Sequence, residues 1–401
     1  MTTDEIVALE NKLEIPTYSK MPMALVEGDG ATVWDADGHA YLDFYGGHCV
    51  ALLGHSPAPV VDAIREQAET LLFYSNVAHS PVRAQAAERL TALAPEARNW
   101  QVFFANSGSE ANETALKLAR KFTGRSGVVA LEGGWHGRTL GSLATTYDEA
   151  YREPYADVLP ETTWIPVGDL EAAEKALAGE DVAAVILEPI QSIAGMREIP
   201  ADFVQGLRRL CDKYGTLLAF DEVQTGVGRT GTFSMAEQLG QADASATPDL
   251  ISLAKSLGAG VPVSAVLVGE RVAETVEPGD QGSTYGGGML AMAAVKATLE
   301  TLVEENLMDR AVEIHEQIRT QVGPVVEAVR GRGCLLGLKL DRPVGPVKDA
   351  LRDRGILVGG SSDPHVMRLM PPLVVSDDEV RRFADALRAA LQDTTAAAEA
   401  A

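Results

Sequence analysis

The sequence predicts an α/β protein: a large domain around a mainly parallel central sheet, with a smaller α+β domain built from both termini. Three observations lead there. Six short apolar runs are almost uninterrupted by polar residues, as expected of strands covered on both faces, and helical periodicity fills the segments between them. Gly or Pro punctuates the junctions, so the connections are short. After about residue 290 the alternation gives way to one long helical run and shorter strand candidates.

In chain order, ATVWDADGHAYLDF (31–44) reads as a hairpin turning at Asp37-Gly38, placed to join the sheet of the smaller domain. VFFA (102–105) is the first central strand. SEANETALKLARKF (109–122) is a helix with Glu110 and Glu113 near its start and Lys117, Arg120 and Lys121 near its end, matching the helix dipole. GVVAL (127–131), AAVILEP (183–189), LLAFDE (217–222), LISLAK (250–255) and SAVLVG (264–269) supply the other central strands. AMAAVKATLETLVEEN is the long helix. CLLGLKL, ILVGG and VMRLMPPLVV are strand candidates, and a final helix follows. The tail TTAAAEAA is low in complexity and reads as frayed. The expected division is 1–50 (N-terminal part of the small domain), 51–295 (large domain), 296–392 (C-terminal part of the small domain) and 393–401 (flexible tail).

Composition narrows the function. Apolar residues make up 46% and charged residues 23%, ordinary for a soluble globular chain. A net charge of −23 argues against nucleic acid or an anionic membrane as partner, since either needs a basic face. Cys49, Cys211 and Cys334 are widely spaced without a CxxC, as expected of reduced thiols in a cytoplasmic protein. MTTDEIVALENK is acidic where a secretory signal would be basic, and no run reaches membrane-spanning length.

Several clusters carry chemistry. NSGSEANE (106–113) follows a strand and opens a helix, so Ser107, Gly108 and Ser109 form either an anion site or an ordinary cap. GGWHGRT (133–139) sits at a strand's carboxyl end, where ligands bind in open α/β sheets. There Trp135 can stack on a planar ring and Arg138 can fork onto a carboxylate; the bland alternative is a packed Trp beside a surface Arg. LLAFDEVQTGVGRTG ends a buried strand on Asp221, with Val223 and Gln224 following; a buried carboxylate is costly without a cationic partner. SLAKSLGAGVP ends another strand on Lys255, where burial lowers the amine's proton affinity and favours Schiff-base chemistry, although most lysines are surface groups. GSTYGG (282–287) and MRLMPP (367–372), with Arg368, are weak patterns alone. Together an acid, an amine, a stacking aromatic, phosphate-type loops and arginines describe a pyridoxal 5′-phosphate site, with the cofactor cation as the partner of Asp221.

On these motifs, which occur in the expected order over about residues 18–390, the sequence resembles the class III (ω-amino) aminotransferases of pyridoxal phosphate fold type I, those for acetylornithine and ornithine above all. The resemblance implies a cytoplasmic enzyme of arginine biosynthesis that moves the terminal amine of an acylated ornithine-like donor to 2-oxoglutarate. Lys255 would carry the cofactor and shuttle the proton. Asp221 would hold the pyridine nitrogen, Trp135 and Val223 the two ring faces, and Gln224 the ring hydroxyl, with Glu188 beside them. Ser107, Gly108 and Ser109 would bind the phosphate, with Thr284 reaching it from the other subunit of a homodimer with shared sites. Arg138 and Arg368 would bind substrate carboxylates, and Tyr18 would stand at the entrance.

One departure matters. Many relatives of this type carry a Glu in a QGEGG or QGEAG loop that neutralises the C-terminal Arg; here EPIQSIAG places Ile193 there. That leaves Arg368 without its expected partner. It keeps open an amino-acid racemase or a dialkylglycine decarboxylase-like enzyme on the same scaffold; a transaminase for carrier-protein-bound substrates is a separate alternative. GSTYGGGML also departs from the usual GG-N-P-L, and His48 lines the same region without an assigned role.

Overall fold

A computed structural model describes residues 1–179, 181–240 and 245–399. Its largest sheet has seven strands, in the order Trp100–Ala105, Ser264–Gly269, Leu250–Leu253, Leu217–Asp221, Val182–Leu187, Gly127–Leu131 and Thr162–Ile165. Ser264–Gly269 runs antiparallel to both neighbours and every other pair is parallel.

Side chains on a strand alternate between faces, and both faces here are covered. Leu217 and Ala219 pack with Ala115, Leu116 and Ala119 of the helix Gly108–Thr123. Leu218 and Phe220 pack on the other side with Phe203, Val204 and Leu207 of the helix Ala201–Tyr214. That double burial is why the strands read as unbroken apolar runs. All six runs are strands of this sheet. Thr162–Ile165 escaped the reading because it is a half-covered edge strand in which only Ile165 is buried.

The expected hairpin is present: Thr32–Asp35 pairs antiparallel with Ala40–Asp43, and Leu25–Asp29 adds on its other side. Ile356–Leu357, from the far end of the chain, joins this sheet parallel to Ala40–Asp43. A second small sheet comprises Ala328–Arg332, Leu335–Lys339 and Val366–Leu369. The long helix runs Met289–Glu304.

The tail departs from expectation. The final helix spans Asp377–Glu399, so residues 393–399 continue it rather than fray. Alanine is the strongest helix former, and Arg342 Nη1 donates to the Leu391 carbonyl at 3.0 Å, tying the turn before the tail to the body. Residues 400 and 401 lie outside the described residues.

Candidate active site

The carboxyl ends of the parallel strands open into a cleft of about 400 Å³ whose lining includes Ser107, Gly108, Ser109, Trp135, Asp221 and Lys255. Open parallel sheets place ligand sites there because the loops diverge and helix N-termini point in.

Asp221 ends its strand at 4% exposure. Its Oδ2 accepts from Asn112 Nδ2 at 2.7 Å and from His136 Nδ1 at 2.8 Å, and its Oδ1 accepts from the Val223 N–H at 3.1 Å. A carboxylate can only accept, so His136 carries its proton on Nδ1. Asn112 also donates to the His136 carbonyl at 2.7 Å, closing a three-residue clamp. Asn112 was not singled out from sequence, and His136 stood out only as the His of the GGWHGRT loop, without a role. The available signal was an Asn on the apolar face of a helix, next to Ala111 and one turn before Ala115.

Lys255 enters from the adjacent strand, where Asp221 lies opposite Ser252. It sits at φ 41°, in the left-handed region, which costs a non-glycine residue roughly 1–2 kcal/mol. Its Nζ makes no hydrogen bond or ion pair with the described residues. Burial, reinforced by the Arg368 charge, holds the amine below the ordinary lysine range, against the opposing pull of Asp221 and Glu188. Glu188 is buried and accepts the Trp135 N–H at 2.7 Å. Burial, then the Asp221 charge, pushes its carboxyl well above the usual carboxylate range.

The helix Gly108–Thr123 presents its first turn to the cleft with Ser107 as cap, accepting from the Glu110 N–H at 3.3 Å. A Cβ on Gly108 would approach both methyls of Val223 at 3.0 Å, so glycine keeps this anion end open. Gln224 also lines the cleft, and its buried Oε1 has no partner among the described residues.

Other candidates stand further out. Arg368 is 5% exposed; its Nη1 donates to Ser192 Oγ at 3.2 Å and its Nε to the Gly360 carbonyl, and no carboxylate pairs with it among the described residues. Ile193 is held by its backbone, its carbonyl accepting from the Ser362 N–H at 2.8 Å. Arg138 is exposed beyond the cleft wall. Thr284 is exposed on a loop whose Ser283 Oγ accepts from Asn106 Nδ2 at 3.2 Å. Tyr18 is 80% exposed, and neither it nor Thr284 lines the cleft of its own chain. His48 lies in a run, Gly46–Cys49, whose four residues all have φ between 54° and 68°. The Asp43 carboxylate staples that turn by accepting from the Tyr45, Gly46 and Gly47 N–H groups. The ring of His48 meets the Tyr45 hydroxyl, and burial followed by the charges of Lys255 and Arg368 pushes it down to about 4.

The family profile for Aminotransferase class-III matches residues 15–391. The chain is a class-III aminotransferase. Among curated relatives it is similar to the acetylornithine aminotransferase of Methanopyrus kandleri, 49% identical over 95% of this chain and 98% of the relative. That of Methanothermobacter thermautotrophicus is 39% identical over 98% and 100%. Among solved structures, an ornithine aminotransferase of Toxoplasma gondii with partial occupancy of PLP at its active site superposes with a TM-score of 0.89 at 30% identity, covering 97% of this chain and 94% of that one.

The donor set fits pyridoxal phosphate. An unpaired buried amine, a clamped carboxylate lining the cleft, an orphaned amide oxygen and an open helix start correspond in turn to its aldehyde, ring nitrogen, ring hydroxyl and phosphate. No helix among the described residues of this class-III aminotransferase is long and apolar enough to cross a membrane.

Proposed function

We propose that this class-III aminotransferase moves the terminal amine of an N-acylated ornithine-like donor to 2-oxoglutarate, giving the semialdehyde and glutamate. The observation that carries the reading is the full-length likeness to acetylornithine aminotransferases at 39–49% identity.

Pyridoxal phosphate supplies an aldehyde that carries the amine between substrates and an electron sink for the charge left when the amine-bearing carbon loses its proton. Lys255 Nζ would anchor the cofactor and would take that proton and return it; burial lowers its proton affinity, which favours the neutral amine that a base requires. Asp221, fixed by Asn112 and His136, keeps the pyridine nitrogen protonated. Trp135 and Val223 hold the ring between them, Gln224 meets the ring hydroxyl, and Glu188 fixes the loop bearing Trp135. The amides and hydroxyls of Ser107, Gly108 and Ser109 bind the phosphate. Arg138 and Arg368 bind the carboxylates of donor and acceptor.

The working unit is a cytoplasmic homodimer. Leu71, Leu72, Phe73, Tyr74 and Tyr285 are exposed, with the Phe73 and Tyr285 rings 5.2 Å apart. A second copy covering this face would bring Thr284 to the partner's phosphate end, and Tyr18 would stand at the entrance.

The test is a half-reaction. Cofactor-loaded enzyme is mixed separately with glutamate, N-acetylornithine, ornithine and a dialkylglycine while the visible absorbance of the bound cofactor is followed. Loss of the band with glutamate and N-acetylornithine, without carbon dioxide release, is expected. Silence toward N-acetylornithine with a response to the dialkylglycine, or to simple α-amino acids alone, overturns the reading.

A further inference from the structure

Arg138 is held without any polar contact to its side chain. Its backbone N–H donates to Ser109 Oγ at 3.2 Å, but its guanidinium makes no hydrogen bond or ion pair with the described residues. What it touches are two rings: its Cζ lies 3.6 Å from the Tyr151 centroid and 4.9 Å from that of Trp135. Those rings meet edge to face, with centroids 5.1 Å apart and planes at 87°.

We propose that Tyr151 is a positioning residue that sets the Arg138 guanidinium for a substrate carboxylate. The inference rests on the reading of Arg138 as a carboxylate-binding group. Stacking on a ring face holds a guanidinium through its π surface and leaves the N–H donors at its edge unspent. Those donors are what a carboxylate takes in a bidentate fork. An exposed arginine on a free stem loses side-chain freedom on binding; a stacked one has already lost part of it. Because the second ring is Trp135, which lines the cofactor cleft, the stack ties the carboxylate fork to the cofactor end of the site.

Tyr151 can serve this way because its own segment is anchored by arginine and aromatic contacts rather than by core burial. Neither the short helix Glu149–Arg152 nor the turn Glu153–Val158 buries a residue. Asp148 caps the helix by accepting the Ala150 N–H at 3.1 Å. Arg152 donates to the Tyr147 carbonyl at 3.0 Å and lies 5.0 Å over the Trp164 ring. The Tyr151 hydroxyl makes no hydrogen bond with the described residues, so the ring alone matters and phenylalanine should replace it.

The experiment measures glutarate binding to cofactor-loaded enzyme by calorimetry, alongside kcat and KM for glutamate. Tyr151→Ala should weaken glutarate about three- to fivefold and raise KM in step with kcat unchanged, the range expected for a cation–π contact near the surface. Tyr151→Phe should match the wild type. Tyr151→Leu, which keeps apolar bulk and guards against a misfolded alanine variant, should behave as Tyr151→Ala. Arg138→Ala should weaken glutarate about tenfold or more, and adding Tyr151→Ala to it should cost nothing further. If Arg138→Ala binds glutarate as the wild type does, the reading of Arg138 fails and this inference with it. If Arg138→Ala weakens binding but Tyr151→Ala and Tyr151→Leu do not, or if Tyr151→Phe is as weak as they are, the inference alone is overturned.

Discussion

Replacing Asn112 by Ala removes one amide and two contacts. Asn112 is 1% exposed, and its Nδ2 donates at 2.7 Å both to Asp221 Oδ2 and to the His136 carbonyl. A hydrogen bond to a charged group contributes about 1.5–3 kcal/mol and a neutral one about 0.5–1.5, so the substitution should cost roughly 2–4 kcal/mol. Asp221 would keep His136 and the Val223 N–H, so the carboxylate survives but is held by fewer donors. The loss should divide between stability and cofactor affinity. If half falls on binding, the cofactor Kd rises about five- to thirtyfold, since each 1.4 kcal/mol is tenfold. The assay titrates cofactor into the cofactor-free variant by visible absorbance and follows thermal unfolding of the same preparation. A variant that matches the wild type within twofold in Kd and within 1 °C in melting would refute the clamp.

Three further outcomes are expected. Ile193→Glu should set an acid beside Arg368, whose Nη1 already reaches the neighbouring Ser192; Coulomb attraction of about 4 kcal/mol at 4 Å and an effective dielectric of 20, largely offset by desolvation, should raise KM for glutamate about tenfold and favour free over acylated ornithine, and an unchanged ratio of the two donors would contradict it. Gly46→Ala should lower the unfolding midpoint and deplete bound cofactor, because Gly46 sits at φ 59° and an added Cβ would run into the Met370 carbonyl oxygen; an unaltered melt would show that this turn can relax. Because burial lowers the proton affinity of Lys255, a larger fraction of it is neutral at any given pH than for an ordinary lysine. Reattachment of cofactor should therefore keep its rate as pH falls below 10 and decline only where Lys255 protonates; a tenfold drop per pH unit from 10 downward would assign it an ordinary amine.

The residues at strand ends were legible because double burial writes itself as unbroken hydrophobicity, and a charge that interrupts it stands out. Asp221 and Lys255 are such interruptions, and both line the cleft. Ser107–Ser109 and Trp135 were legible from glycine-rich loops after strands. Asn112 and His136 were not, because their importance lies in meeting Asp221 across more than eighty residues of sequence, which no local pattern encodes. The edge strand Thr162–Ile165 was hidden for the opposite reason, since half-exposure breaks the apolar run. Thr284 and Tyr18 entered through resemblance alone, and a single chain leaves both outside its own cleft.

The rung that sets Asp221 opposite Ser252 has a consequence for how this site can change. Parallel strands stand about 4.8 Å apart, so the span from acid to amine is measured across the ladder rather than along the chain. Between them the chain leaves the sheet, is gathered by the Glu222 carboxylate accepting the Thr225 hydroxyl and the Met235 N–H, and returns at Leu250. Lengthening the connection between the two strands would leave the ruler untouched, whereas slipping the register by one residue would turn Asp221 to the opposite face of the sheet. The chemistry is thus insulated from insertions and exposed to slips, a distinction a library of length variants would make visible.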